Sequence, residues 1–406
     1  MIAVFLNNIV PYHLARWNSY AQLHAAPCLL VAITSRDSFR VLEVNEKQTG
    51  ECQRATLFAG KSFDQIARRD LRLAVERTLN EHRPAVVCLN GYSFFYNWVA
   101  LGWCLRNKVP AIVCSESNEF DEVRRPWKEA VKKFFVQHCA AGLAGGQPQA
   151  DYLVKLGLPQ QRVFTGYDVV ANDHFASGSA TARAQGEALR KKLTLPENYF
   201  LACSRFGQKK NLPRLVKAYA RYRKLVAEAK NPIAESKPWD LVLVGDGEEK
   251  ALIEQAMAEH EVASFVHLVG AKPYDQLPDY YGLASAFIHA STTEQWGLVV
   301  NEAMASGLPV LVSKRCGCAP DLVKEGVNGF TFHPLDETDI AQKMFQVATD
   351  SALLTSMASA SREIIASWSP EKFARGISQA IEVALSRPPV SATWLNRLVI
   401  WIMLHR

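Results

Sequence analysis

The amino-acid sequence predicts an α/β protein built of two doubly wound, Rossmann-like domains. Three observations carry this reading. The chain has 406 residues, enough for two to three domains with sizeable cores. In each half, short apolar runs of strand length alternate with helical stretches, as expected for parallel strands covered by helices. Between the halves, Ala176–Gly186 (ASGSATARAQG) is small and polar with no apolar periodicity and reads as a linker. The expected domains are therefore 1–175 and 187–368, followed by a closing helix and apolar tail over 369–406.

Composition excludes several function classes. Hydrophobic residues make up 49% and charged residues 21%, the balance of an ordinary globular protein. The net charge of +6 is uneven: residues 1–170 carry 20 Lys/Arg against 15 Asp/Glu, whereas 171–406 carry 26 against 25. The front half is thus the better candidate for an anionic partner. No basic stripe interleaved with aromatics appears, so nucleic acid is not expected. The nine cysteines are scattered, with Cys316 and Cys318 as the close pair. They match neither zinc spacing nor a disulfide framework, which predicts plain thiols in a reducing compartment. Met1–Val10 lacks the features of a signal peptide, and no run reaches the roughly 20 apolar residues of a spanning helix. A cytoplasmic location is expected.

In the front half, Ile2–Leu6, Leu29–Thr34, Ala85–Leu89 and Ala111–Cys114 are apolar and short enough for buried parallel strands, with a helix near Arg16–Ala25. No G-x-G-x-x-G follows the first strand, which argues against a dinucleotide site. Ligands of such sheets bind at the carboxyl ends of the strands. Those ends supply Asn7, Asn8 and His13, then Asn90-Gly91-Tyr92, then Ser115-Glu116-Ser117. Glu116 stands out, because a carboxylate at a strand mouth is costly to desolvate without a role. His13 by itself reads first as a hydrogen-bonded surface residue. Arg124–Val136 (RRPWKEAVKKFFV) predicts a helix with Trp127, Val131, Phe134 and Phe135 on one side and Arg125, Lys128, Lys132 and Lys133 along a basic edge. Such a helix either docks its apolar face on the protein or rests on anionic lipid.

The second half repeats the alternation. Tyr199–Cys203 is a strand, followed by Arg205, Lys209, Lys210 and Asn211 in a loop; Leu241–Val244 is the next, closed by Gly245-Asp246-Gly247. One Asp between two glycines suits a tight turn better than an octahedral metal site. An acidic helix (Glu248–His260), a strand (Phe265–Leu268), a helix around Asp275–Leu283 and a strand (Ala286–Ala290) lead to Thr293–Gly307, TEQWGLVVNEAMASG. Here Glu294 and Glu302 stand eight positions apart, with Gly297 and Leu298 where loop turns to helix. Gly297 lets a ligand approach the backbone, and the first amides of the helix favour a phosphate or sugar oxygen. Taken alone, two glutamates near a helix start serve the dipole or face solvent. After the strand Leu308–Ser313 and a loop through Cys316-Gly317-Cys318 to Asp321, Glu371–Ser386 reads as a helix with Phe373, Ile377, Ile381 and Ala384 on one side. The tail Trp394–Leu404 is apolar, aromatic and too short to span.

The stretch resembles the E-x7-E motif of family 4 glycosyltransferases of the GT-B fold. EAMASGLPVLVS and VNGFTFHPLD follow in that family's order, and Gly166, Asp168, Asp173 and Phe175 resemble its inter-domain crossing. The likeness covers Phe200–Asp339 and is faint before it. It implies two Rossmann-like domains facing a central cleft, with the last helix returning to the front domain. It implies a retaining transferase moving a sugar from a nucleotide donor to an acceptor hydroxyl, without a protein nucleophile. Arg205 and Lys210 would clamp the diphosphate, aided by amides near Gly297 and Leu298. Glu302 would hold the ribose, and Glu294 would position the donor sugar. Glu116 stands where the family often has a His beside that sugar. Asn8, His13 and Tyr92 would lie on the acceptor side. No metal or other cofactor is expected, because fixed cations and a helix start carry the phosphate charge. The basic front half and the apolar tail point to a glycan or lipid-linked acceptor in bacterial surface-polysaccharide assembly at the inner membrane face, with peripheral membrane contact. A non-catalytic sugar-binding scaffold would not need Arg205, Lys210, Glu294 and Glu302 together, and a GT-B UDP-sugar epimerase would not need the E-x7-E context.

Overall fold

A computed structural model describes residues 1–24, 27–35, 51–229, 237–388 and 393–405. The chain divides into two compact units, 1–169 with 370–406, and 170–369.

The first unit begins with strand β1 (Ile2–Leu6), helix α1 (Pro11–His24), β2 (Cys28–Thr34) and β3 (Gln53–Phe58). Then come α2 (Arg68–His82), β4 (Val86–Asn90), α3 (Phe95–Asn107), β5 (Ala111–Ser115), α4 (Pro126–Gln137), β6 (Ala141–Ala144), α5 (Gln147–Lys155) and β7 (Val163–Thr165). Among the described residues these strands form a seven-stranded parallel sheet in the order β3-β2-β1-β4-β5-β6-β7. The strand order reverses between β1 and β4, so Asn7–Asn8 and Asn90–Tyr92 flank the switch point. β1, β2 and β5 are buried along their whole length, which is why they read as unbroken apolar runs.

The parallel register explains one departure from expectation. Leu29 pairs with Gln53, which sets Cys28 beside Cys52, and the two form a disulfide. Two cysteines separated by 24 residues gave no spacing signal; only strand pairing makes them neighbours. The remaining cysteines among the described residues, Cys316 and Cys318 included, are free thiols.

The second unit runs α6 (Asn172–Leu193), β8 (Tyr199–Cys203), α7 (Leu212–Glu228), β9 (Asp240–Val244), α8 (Lys250–Glu259), β10 (Val266–Gly270), α9 (Leu277–Leu283) and β11 (Ala286–His289). It continues with α10 (Leu298–Ala305), β12 (Val310–Ser313), α11 (Ala319–Leu322), β13 (Gly329–Phe332), α12 (Glu337–Ala348) and α13 (Ser351–Ala366). Its described strands form a six-stranded parallel sheet, order β10-β9-β8-β11-β12-β13, with the reversal between β8 and β11. The predicted linker Ala176–Gly186 is instead part of α6, which kinks at Gly186 (φ +46°). Its small residues form a packing face. A Cβ on Gly178 would lie 2.6 Å from Pro278, and one on Gly282 would lie 2.7 Å from the Ser179 carbonyl. Ser179 Oγ also donates to the Pro278 carbonyl at 3.1 Å. Small side chains there reflect close helix approach, not freedom.

The chain closes with α14 (Pro370–Leu385) and α15 (Trp394–His405) in the first unit. α14 buries Phe373, Ile377, Ile381 and Ala384, and Phe373 meets Trp17 of α1 edge to face at 5.1 Å. α15 lies on α3: a Cβ on Gly102 would touch Ile400 at 3.0 Å. α4 also packs on α3, with Phe134 stacked on Trp98 at 6.3 Å. Lys132 does not belong to an open basic edge. Its ammonium pairs with Glu129 at 3.0 Å, donates to Tyr152 at 3.2 Å and lies over the Tyr92 ring. No helix among the described residues is long and apolar enough to cross a membrane.

Candidate active site

The site assembles at the carboxyl ends of β8 and β11, on either side of the strand reversal in the second unit. After β8 the chain enters a loop shaped by close packing. A Cβ on Gly245 (φ +143°) would overlap the Ser204 carbonyl, and Phe206 N donates to the Asp246 carbonyl at 2.8 Å. The Gly245-Asp246-Gly247 turn is therefore a brace for the Ser204–Gly207 loop. Asn211, in the left-handed region (φ +59°), donates to the carbonyls of Ala290 and Pro334 at 3.1 and 2.7 Å. Thr292 N donates to the Lys209 carbonyl at 2.8 Å. These bonds tie the first loop to the second and set Lys210 against Glu294.

The Lys210 ammonium donates to Glu294 Oε2. The same oxygen lies 3.3 Å from His289 Nε2 and 3.1 Å from Ser291 Oγ. Burial opposes ionisation of Glu294, but the hydrogen bond from His289 and the charge of Lys210 outweigh it. The carboxyl is held well below its ordinary range. Burial likewise disfavours charge on His289, and hydrogen bonds with Cys316 and Glu294 reverse that, raising its pKa. Burial favours the neutral thiol of Cys316, and hydrogen bonds with Cys318 and His289 draw it down to about 6. Its 2.8 Å contact with the Trp296 carbonyl is one that the protonated thiol makes favourably.

Gly297 begins α10 with φ +106°, and a Cβ there would come within 2.7 Å of Cys316 Sγ. Only glycine fits both the backbone angle and the sulfur. Trp296 is buried and anchored, its indole N–H donating to Asn301 Oδ1 at 2.9 Å. One turn into α10, Glu302 is 1% exposed and accepts from Tyr281 at 2.7 Å. Arg205 lies farther out. It is about half exposed and pairs with Glu248 at 3.0 Å, so it reaches a ligand only by exchanging that partner.

Cations, an open helix start and two carboxylates in this arrangement suit a nucleoside diphosphate bearing a polyhydroxylated group. Residues 185–364 match the profile of the family described as glycosyl transferases group 1. That segment belongs to the group 1 glycosyl transferases. Over 161 residues the chain is 26% identical to alpha-monoglucosyldiacylglycerol synthase of Acholeplasma laidlawii, covering 39% of this chain and 38% of that protein. It is 25% identical to N-acetyl-alpha-D-glucosaminyl L-malate synthase of Bacillus anthracis, covering 54% and 59% respectively. The chain thus spans less than two thirds of the length of these curated relatives. Anabaena HepE, solved with UDP and glucose, aligns over 94% of this chain and 99% of its own with a TM-score of 0.72 at 18% identity, a likeness of fold.

The group 1 glycosyl transferase segment contains Arg205, Lys210, Glu294, Gly297, Leu298 and Glu302. Lys210 and Glu294 are in contact, and Gly297 and Leu298 open the helix that carries Glu302. The remaining candidates, Asn8, His13, Tyr92 and Glu116, lie in the first unit. His13 Nδ1 accepts from Val10 N at 3.3 Å, capping its own turn. Tyr92 is buried, and burial lifts its hydroxyl to about 12. Glu116, just past β5, faces Asp168. Burial, followed by the charge of Glu116, raises Asp168 well above the usual carboxylate range, against the opposing pull of Arg16 at 3.5 Å. Sequence reasoning assigned no role to His289, Ser291 or Tyr281. His289 sits in an apolar strand and Tyr281 in a buried helix, where such residues read as core.

Proposed function

We propose that this protein transfers a sugar from a nucleoside diphosphate sugar to an acceptor hydroxyl, with retention at the anomeric carbon. The contact of Lys210 with Glu294 beside the Gly297 helix start carries the reading. A departing diphosphate gains negative charge, and fixed cations and helix amides stabilise it most at that moment. Lys210 serves that charge, and Arg205 joins it after leaving Glu248. Glu302, held by Tyr281, accepts from the ribose hydroxyls, and Glu294 accepts from hydroxyls of the donor sugar. Retention follows if the acceptor attacks the face from which the diphosphate leaves, the phosphate taking the proton. HepE, solved with UDP and glucose, makes UDP-glucose the first donor to try.

In the same reading the first unit meets the acceptor through Asn8, His13, Tyr92 and Glu116. The acceptor class is a glycan or lipid-linked sugar of the bacterial cell surface, supported by a relative named as synthase of a glucosyldiacylglycerol. Exposed Trp127, Trp394 and Trp401 suit peripheral contact with the cytoplasmic membrane face. No metal is required, since Lys210, Arg205 and the helix start carry the phosphate charge.

The test is incubation with UDP- and GDP-sugars while following release of nucleoside diphosphate, with and without a metal chelator. Slow release from one donor, unchanged by the chelator, is the expected result. No release and no binding of any nucleotide sugar would overturn the transferase reading. Loss of release on chelation would overturn the metal-free one.

A further inference from the structure

His289 ends β11 and is 3% exposed, its ring stacked on Phe287 at 6.2 Å. A buried imidazole in a strand is ordinarily a satisfied core group. This one joins two loops. On one side Nε2 lies 3.3 Å from Glu294 Oε2 and 3.1 Å from Ser291 Oγ. On the other the ring interacts electrostatically with Cys316 of the 314–318 loop. Cys316 is itself fixed: Sγ lies 2.8 Å from the Trp296 carbonyl and 3.6 Å from Cys318 Sγ. The backbones are laced as well, Glu294 N donating to the Arg315 carbonyl and Gly317 N to the Glu294 carbonyl, each at 3.1 Å. Lys210, His289 and Ser291 all converge on Glu294 Oε2.

We propose that His289 and Cys316 are positioning residues for Glu294: the imidazole is a strut between the 314–318 loop and the carboxylate that meets the donor sugar. The proposal rests on the reading of Glu294 given above. A carboxylate that must accept from particular sugar hydroxyls gains from a locked rotamer, because misplacement by a fraction of an ångström weakens the transition state more than the bound nucleotide. Lys210 cannot supply this alone, since its long side chain is also needed by the phosphate. The imidazole is rigid and 3% exposed, so it holds Glu294 when Lys210 turns to the diphosphate.

The experiment measures kcat on whichever of UDP-glucose and GDP-mannose the protein hydrolyses, together with affinity for the matching diphosphate. His289→Phe keeps the ring against Phe287 and removes the hydrogen bond. It should lower kcat roughly tenfold or more while diphosphate affinity stays within about twofold. His289→Gln, whose amide can donate, should recover most of that loss, and Cys316→Ser should fall between. Combining His289→Phe with Glu294→Gln should cost little more than Glu294→Gln alone, because both remove one interaction. Wild-type kcat in His289→Phe, or losses that simply add in the double variant, would overturn the proposal. If Glu294→Gln itself turns over normally, the donor-sugar reading of Glu294 fails instead. Should His289→Phe not fold, the cycle of Cys316→Ser with Glu294→Gln decides by the same additivity.

Discussion

Lys210 and Glu294 depend on each other, which makes the effect of removing either one specific. Lys210→Ala strips a cation from the proposed diphosphate site and removes one donor from Glu294. Nucleoside diphosphate affinity should fall roughly tenfold to a hundredfold, and turnover with it. Arg205→Ala should lower turnover less, because Arg205 is about half exposed and must first leave Glu248. Glu302→Gln should weaken the whole nucleotide, since ribose contacts act in ground and transition states alike. Glu294→Gln should cut turnover with the diphosphate affinity nearly intact. Equal losses of diphosphate affinity in the two glutamine variants would show that the division between ribose and sugar is wrong. Acid stability offers an independent check. The folded-state pKa of Glu294 lies below its ordinary value. Its ionised form therefore stabilises the fold at neutral pH, and that contribution fades as pH falls below about 4. The melting temperature of Glu294→Gln should sit below wild type near pH 6, and the gap should narrow steadily as pH falls below about 4. The two glutamates, Lys210 and Gly297 were singled out by resemblance to the E-x7-E context rather than by spacing alone, and the structure sets Lys210 against Glu294 and Gly297 at the start of α10. His289, Ser291 and Cys316 were not, because what matters about them is a meeting of two loops that lie 25 residues apart.

At the scale of elements, apolar runs flanked by turn residues located β1, β8, β11 and α10, since periodicity reports burial directly. α6 was misread for the converse reason. Gly178, Ser179 and Ala182 are small because Pro278 and Gly282 press on them, and close approach has no signature distinct from a polar linker. α4 and α15 carry a prediction of their own, as both pack on α3 and turn tryptophans outward. Trp127 is 58% exposed, Trp394 76% and Trp401 57%. Arg125, at the start of α4, and Lys133, within it, are exposed, whereas Lys132 is committed to Glu129 and Tyr152. Each surface cation near anionic lipid contributes about 1 kcal/mol, much of it screened by salt. Sedimentation with liposomes should therefore need anionic lipid, weaken as salt rises, and weaken further in Arg125→Ser/Lys133→Ser and in Trp394→Ala/Trp401→Ala. Lys132→Ser should instead lower the melting temperature with little effect on lipid binding. Equal sedimentation with neutral and anionic vesicles, or none with either, would leave these helices as ordinary surface.

At the scale of the whole molecule, the chain assigns its functions unequally. Two parallel sheets, each reversing strand order once, were legible from alternating apolar and helical stretches. Their strand orders and the Cys28–Cys52 pairing were not, because register belongs to the folded sheet. The residues assigned to the nucleotide lie in 170–369, and those assigned to the acceptor lie in the other unit. A ligand that binds only the folded state raises its stability by about 2.7 kcal/mol at a hundred times its dissociation constant. For a unit of roughly 200 residues that corresponds to an upward shift of about 5 to 10 °C in its melting transition. Nucleoside diphosphate should produce such a shift, and hydrogen exchange should slow in the segments around 204–211, 289–302 and 314–318. Backbone amides around 7–13 and 115–117 should respond to the diphosphate far less, because no phosphate-binding role falls to them. Protection centred on those front segments would move the nucleotide to the first unit and remove the role given to Lys210. Protection of 289–302 without 204–211 would keep the helix start as the phosphate site while discarding the cation clamp.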